Sequence, residues 1–271
     1  MNVEIGLLGP MSATVDGRSM VPSASKPRQV LALLSLRPRH VVQTDVLIEE
    51  LWGAAPPRSV LTTLQTYVLQ LRRGLSQVLP PDGPRAKDVL ATSRGGYFLT
   101  VDQHNTDVGR FDDLFTRGQR AFRAGDCAEA SQLLGEALGL WRGPVVADAR
   151  HGRTLEIESA RLEADRLSAR ELRISAELRL GGHLALLGEL TALAGTYPLH
   201  ERLHGQLMLA LHRAGRTADA VGAFHRLRRT LIEELGLEPT RHIQQLHQAM
   251  LFPDTAALAH GGRLEEAVLI G

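Results

Sequence analysis

A single cysteine, Cys127, stands in the 271 residues, so the chain cannot close an internal disulfide. No apolar run reaches the roughly 20 residues that a membrane helix needs, and no charged-then-apolar leader pattern opens the sequence, so a cytoplasmic protein with no membrane partner is expected. The glycine pairs Gly95-Gly96 and Gly181-Gly182 do not lie in a G-x-x-x-x-G-K-[ST] run, which removes the nucleotide-cradling loop. Cys127 falls on a helical pattern without a cationic neighbour in sequence and reads as an inert thiol. No cofactor, metal or catalytic residue is expected. What remains is long enough for two domains with substantial cores.

Net charge is nearly absent too, at +1, but it is unevenly placed. Up to residue 105 there are 11 Lys+Arg against 8 Asp+Glu, and beyond it 20 against 22. Within 58–97 the bases are Arg58, Arg72, Arg73, Arg85, Lys87 and Arg94, opposed only by Asp82 and Asp88. A local positive field of this kind attracts a polyanion.

The stretch 58–77, RSVLTTLQTYVLQLRRGLSQ, gathers Leu61, Leu64, Val68, Leu71 and Leu75 into one stripe when wound as a helix at about 100° per residue. Ser59, Thr62, Thr63, Thr66, Gln70, Arg73 and Gln77 share the other side, which holds no acid. Solvated helix faces usually mix Glu with Lys. A helix in a DNA major groove needs donors for phosphates and base edges and is repelled by carboxylates.

The flanks complete a pattern. Val3 to Pro22 alternates short apolar runs with Gly-Pro and Asp-Gly turn signals, as a small β-meander does. A helix follows from Lys26-Pro27 to Pro38, then a second with Thr44 as its cap and Val46, Leu47, Ile48, Leu51 and Trp52 as its buried side. Beyond Pro80-Pro81-Asp82-Gly83-Pro84, the runs DVLATS and GYFLTV fold about Arg94-Gly95-Gly96 as a hairpin. Sheet, three helices and hairpin, in that order, describe a winged helix.

From Thr106 the texture becomes helix upon helix, with candidates at 108–124, 126–141, 154–180, 183–195, 198–214, 216–235 and 239–251. Ala124-Gly125-Asp126, Leu180-Gly181-Gly182 and Ala214-Gly215-Arg216 recur between paired helices, in the manner of degenerate tetratricopeptide repeats. The expected architecture is an α+β winged helix-turn-helix domain at 1–104, an all-α tetratricopeptide-like domain at 105–252, and a loose tail at 253–271.

One motif points elsewhere. His200-Glu201-Arg202-Leu203-His204 matches H-E-x-x-H, in which two histidines one turn apart bind zinc and the Glu polarises water. No G-x-x-H extension follows His204. A zinc hydrolase is carried as a remote alternative, and a tetratricopeptide-type adaptor whose winged helix binds only protein as a nearer one.

The chain up to about residue 252 resembles the SARP family, the Streptomyces antibiotic regulatory proteins. IGLLGP (5–10) is similar to the family's opening strand, VLIEELWG (46–53) to its second helix, LQTYVLQLRRGL (64–75) to its recognition helix and Gly96-Tyr97 to its wing. LGLWRGP (138–144), ELTALAGTYP (189–198), QLMLALHRAGR (206–216) and ELGLEP (234–239) resemble the bacterial transcriptional activator domain.

The resemblance implies an OmpR/PhoB-type effector domain without a receiver, and an activator of a secondary-metabolite (antibiotic) gene cluster. The implied partners are double-stranded promoter DNA with direct repeats, bound as a homodimer, and RNA polymerase holoenzyme. The positions matching base or phosphate contacts are Thr62, Thr63, Thr66, Tyr67, Gln70 and Arg72. Gln70 can pair with adenine and Thr66 can touch a thymine methyl, while Arg58, Arg72 and Arg73 suit phosphates. Family wings carry an Arg four residues before the Tyr; here Ser93 stands there and Arg94 follows, so Arg94 is the candidate for the minor groove. Tyr97 is expected to pack rather than touch DNA. The connection Trp52, Gly53, Ala54, Ala55, Pro56 and Pro57 resembles the loop through which this class touches polymerase.

Overall fold

The computed structural model describes residues 3–251, so the tail expected at 253–271 lies outside the described residues. Among the described residues two compact units emerge: 3–116 with Glu136–Leu167, and Arg117–Gly135 with 168–251.

The first unit opens with three antiparallel strands, β1 (Val3–Gly6), β2 (Ser12–Val15) and β3 (Arg18–Ser19), in the order β1-β2-β3. Asp16 and Gly17 turn β2 into β3 with φ of 47° and 79°, the two positive angles that a right-twisted two-residue hairpin requires. Val3, Ile5, Leu7, Leu8, Ala13 and Val15 from this segment are buried.

Helix α1 (Ser25–Leu36) has almost every residue after Lys26 buried and forms the hub of the unit. A two-residue strand β4 (Val42–Gln43) leads into α2 (Thr44–Trp52), and α3 (Val60–Val78) packs across α1. A short α4 (Ala86–Val89) precedes the hairpin β5 (Leu90–Ser93) and β6 (Gly96–Leu99), and the second sheet runs β4-β6-β5.

Three local expectations are corrected, and one element is added. The strand expected from Asp88 begins at Leu90, because Asp88 and Val89 complete α4, where the Asp88 carboxylate accepts from the Arg85 backbone N–H at 3.1 Å. Strand β4, too short to show an alternating pattern, was not expected. Thr44 does not cap α2: Gln43 occupies that place, and the Thr44 hydroxyl donates to the Gly95 carbonyl at 2.9 Å. Val46, Ile48 and Trp52 are only half-buried, and the third fully buried residue of α2, beside Leu47 and Leu51, is Glu50.

Two buried carboxyl groups join distant parts of this unit. Asp107, at the start of α5 (Asp107–Arg123), accepts from the backbone N–H groups of Leu7 at 2.7 Å and Leu8 at 3.0 Å. Glu50 accepts from the N–H groups of Gly152 at 2.7 Å, Thr154 at 2.8 Å and Leu155 at 3.2 Å, which are donors at the first turn of α7 (Arg153–Arg179). Helix N-termini leave such donors without intrahelical partners, so a carboxylate there removes a desolvation cost and meets the positive end of the helix dipole.

The second unit is helical. Together with the parts of α5, α6 (Cys127–Gly139) and α7 assigned to it, it holds α8 (His183–Thr196), α9 (Glu201–Arg213), α10 (Thr217–Leu235) and α11 (Arg241–Leu251). Gly125, Gly181 and Gly215 have φ of 84°, 86° and 75°. The residue after each donates to a carbonyl five back: Asp126 to Ala121, Gly182 to Glu177 and Arg216 to Leu211. The same helix-ending turn occurs three times, as the repeated Gly signals anticipate.

In the HERLH segment, His200 stands at the residue before α9, where its side chain makes no capping hydrogen bond, and its Nε2 lies 2.9 Å from Glu171. Glu201 accepts from the Thr240 N–H at 2.6 Å, and His204 is buried. The hydrogen bond and charge of Glu171 hold the His200 imidazole above its ordinary 6.5, against the opposing pulls of burial and Arg202. The charged pair therefore stabilises the fold fully below pH ~6.5, and its contribution is lost as pH rises through the elevated value. Burial pushes His204 and His247 down, so those two act in the opposite sense. His200→Gln is expected to be less stable than the parent in denaturant titrations near pH ~6, with the gap closing toward pH ~8. A gap that does not change with pH would mean that His200 carries no charge in the fold.

Candidate nucleic-acid interface

Helix α3 runs for 19 residues with no acid in its first turn. Leu64, Val68, Leu71, Leu75 and Val78 are buried. Leu61, expected in the same stripe, is 57% exposed, because burial begins one turn later. Thr62, Thr66, Gln70, Arg73 and Gln77 are exposed and Thr63 is half-buried, so the acid-free polar side faces outward.

Two of the three threonine hydroxyls on this side are turned onto the helix itself. Thr63 donates to the Ser59 carbonyl at 3.0 Å and Thr66 to the Thr62 carbonyl at 2.9 Å. Each Oγ keeps acceptor capacity, and the methyl is the apolar group that remains on each side chain.

Arg72 is placed differently from its neighbour. Its Nε and Nη2 donate to the Leu90 carbonyl at 3.0 and 2.8 Å, and Nη2 also to the Thr92 hydroxyl at 2.8 Å. The guanidinium thus ties α3 to the first strand of the wing, with Nη1 left over. Arg58, Arg73 and Arg94 are exposed and make no ion pair among the described residues.

The wing is held from the other side by β4. Val42 pairs with Tyr97 and Gln43 with Gly96, while both the N–H and the hydroxyl of Thr44 reach the Gly95 carbonyl. A Cβ on Gly96 would lie 2.1 Å from the Val42 carbonyl oxygen, so no other residue fits without displacing β4. Gly96→Ala is accordingly expected to lower the melting temperature. An unchanged melting temperature would show that β4 yields readily.

Tyr67 does not stand alone on its flank: its ring stacks on Trp52 with centroids 6.1 Å apart and planes 18° from parallel. The Lys26 ammonium sits 4.4 Å from the Trp52 ring centre and donates to the Leu51 carbonyl at 3.0 Å. Trp52 is thereby fixed, while Gly53, Ala54, Ala55, Pro56 and Pro57 are all exposed. Glu50, Gln29 and the wing ties of Arg72 and Thr44 escaped sequence reasoning, because each partner is distant in sequence or is a backbone atom.

Comparison with known proteins places both parts of the chain. A family model described as the bacterial transcriptional activator domain matches residues 106–251, and one described as "Transcriptional regulatory protein, C terminal" matches residues 18–99. The chain is 47% identical over 270 residues to the regulatory protein DnrI of Streptomyces peucetius, covering 99% of both. It is 36% identical over 252 residues to the transcriptional regulator RedD of Streptomyces coelicolor, covering 93% of this chain and 71% of that one. A solved structure of Mycobacterium tuberculosis EmbR, in complex with a low-affinity phosphopeptide, matches with a TM-score of 0.88 at 33% identity over 99% of this chain and 68% of that one.

Proposed function

Since the chain belongs to the SARP family of transcriptional activators, a family of regulators rather than enzymes, we propose that it binds promoter DNA sequence-specifically, with α3 in the major groove and the β5-β6 hairpin in the adjacent minor groove. The acid-free outward face of α3, with Arg73 on it and Arg94 at the wing tip, is the observation that carries this reading. Thr66 and Gln70 read bases; Arg58 and Arg73 anchor phosphates, helped by the remaining donor of Arg72; Thr62 and Thr63 flank them. Tyr67, stacked on Trp52, fixes the entry of the helix and can still meet the backbone with its hydroxyl.

Two protomers sit in tandem on direct repeats about one helical turn apart, so that both lie on one face of the duplex. The DNA-contacting residues fall within 1–104 and the activator domain within 105–252. The exposed connection Gly53 to Pro57, stiffened by its prolines and anchored at Trp52, meets RNA polymerase. The target is a secondary-metabolite gene cluster, and the protein works in the cytoplasm on the nucleoid. No described helix is long and apolar enough to cross a membrane.

The test is binding to promoter fragments of its own gene neighbourhood across salt. Affinity is expected to fall by about 0.9 log units per log salt for each phosphate neutralised. Gln70→Ala relaxes base preference by about 1–3 kcal/mol at one position, whereas Arg73→Ala weakens all sequences alike and lowers the salt slope by about one. Equal losses for both variants with preference unchanged would overturn the assignment of roles. Salt-insensitive or absent binding would favour the protein-adaptor alternative.

A further inference from the structure

One residue on the outward face of α3 does not belong to its hydrogen-bonding character. Leu69 is 47% exposed and follows Thr62 and Thr66 at the spacing i, i+4, i+7, with Arg73 four residues beyond. A leucine with about half its surface in water, in the middle of a polar face, gains far less for the fold than one in the buried stripe. Thr66 beside it is exposed and has turned its hydroxyl hydrogen onto Thr62, which leaves its methyl as the apolar group of the side chain. The two form a short apolar ridge in a surface that, apart from Leu61 at the first turn of the helix, presents amide, hydroxyl and guanidinium groups.

We propose that Leu69, with the Thr66 methyl, is a specificity-determining contact that recognises thymine 5-methyl groups in the major groove. The inference rests on the DNA-binding reading above and deepens it. In that groove the only apolar group on a base-pair edge is the thymine methyl, so an apolar ridge there discriminates thymine from cytosine without a hydrogen bond. The absence of acids and the presence of Arg73 on the same face favour DNA over an apolar protein surface as the occupant. Since burying one methyl contributes about 0.8 kcal/mol, each lost methyl contact weakens binding about four-fold.

The experiment uses the full chain and the promoter fragment it binds best, prepared with thymine or with uracil, which lacks only the 5-methyl, at each half-site position. For the parent chain, uracil at one or two positions is expected to weaken binding about four-fold each. Leu69→Ala weakens binding to the thymine fragment by a similar factor and is indifferent to uracil at those positions. Leu69→Met, which keeps an apolar end there, retains the discrimination. Equal parental affinity for thymine and uracil fragments, or a Leu69→Ala variant as sensitive to uracil as the parent, overturns the ridge while leaving DNA binding intact. Failure to bind any fragment overturns the DNA reading and the ridge with it. Because Leu69 is exposed, both variants are expected to fold, and an unchanged melting temperature confirms that affinity changes arise at the contact.

Discussion

Glu50→Ala is expected to destabilise the protein by about 3–5 kcal/mol, a large share of the 5–15 kcal/mol by which domains are usually stable. Glu50 is 3% exposed, and its carboxylate accepts from three backbone N–H groups at the head of α7 and from the Gln29 amide at 3.1 Å. Hydrogen bonds to a charged acceptor each contribute about 1.5–3 kcal/mol, and truncation leaves the donors to seek water. The open cavity lined by Glu49, Trp52, Gly53, Gly152 and Arg153 admits some water, which is why the loss stays below the sum of the bonds.

Glu50→Gln keeps one acceptor but turns an amide donor toward the N–H cluster, so about half of the loss is expected. Glu49→Ala removes a half-exposed neighbour and should stay within about 0.5 kcal/mol of the parent. Urea midpoints for the three variants decide the matter: a Glu50→Ala midpoint equal to that of Glu49→Ala would remove Glu50 from any structural role. Because Glu50 sits on α2, and α2 fixes Thr44 at the wing and Trp52 at Tyr67, DNA affinity should fall with stability in Glu50→Ala.

The contrast between Glu50 and Leu64 shows where sequence reasoning reaches. Leu64, Val68, Leu71 and Leu75 are legible because helical winding is local and the buried side repeats every three or four residues. The same rule misplaces Leu61, since periodicity gives direction around the helix but not where a neighbour's cover begins along it. The Asp16-Gly17 hairpin and the three glycine turns of the second unit were readable for a similar reason: backbone angles are set by the residues that adopt them.

Glu50, Asp107 and Arg72 were opaque. An acid or arginine in sequence reads as solvated unless its partner is known, and these partners lie 102, 100 and 18 residues away, all of them wholly or partly backbone groups. Leu69 failed differently: one leucine outside the buried stripe carries no signal until its exposure is seen. Of the candidate interface, the face was therefore readable and its scaffolding was not.

A fragment ending at residue 104 is expected not to fold cooperatively, although it contains every candidate DNA-contacting residue. The first sheet depends on later chain. Besides Asp107 on Leu7 and Leu8, the Arg142 N–H donates to the Leu8 carbonyl at 2.7 Å, and the Val146 N–H to the Leu7 carbonyl at 2.8 Å. Asp148 accepts from the Met11 N–H at 2.7 Å and pairs with Arg28 at 2.9 Å, and Trp141, Val145, Val146 and Leu155 are buried. Cutting at 104 removes all of these together with the donors that Glu50 serves. At about 1 kcal/mol net for each of five or more hydrogen bonds, plus the lost apolar burial, the deficit matches the whole stability of a small domain. A fragment of residues 1–167 keeps every one of these partners and is expected to melt cooperatively. Amide exchange at Leu7, Leu8 and Met11 should be slow in the longer fragment and unprotected in the shorter. Cooperative melting of the 1–104 fragment at the temperature of the 1–167 fragment would overturn this dependence. If the dependence holds, weak DNA binding by the short fragment measures folding and not contact, because the interface is complete in sequence while its support lies in the chain that follows.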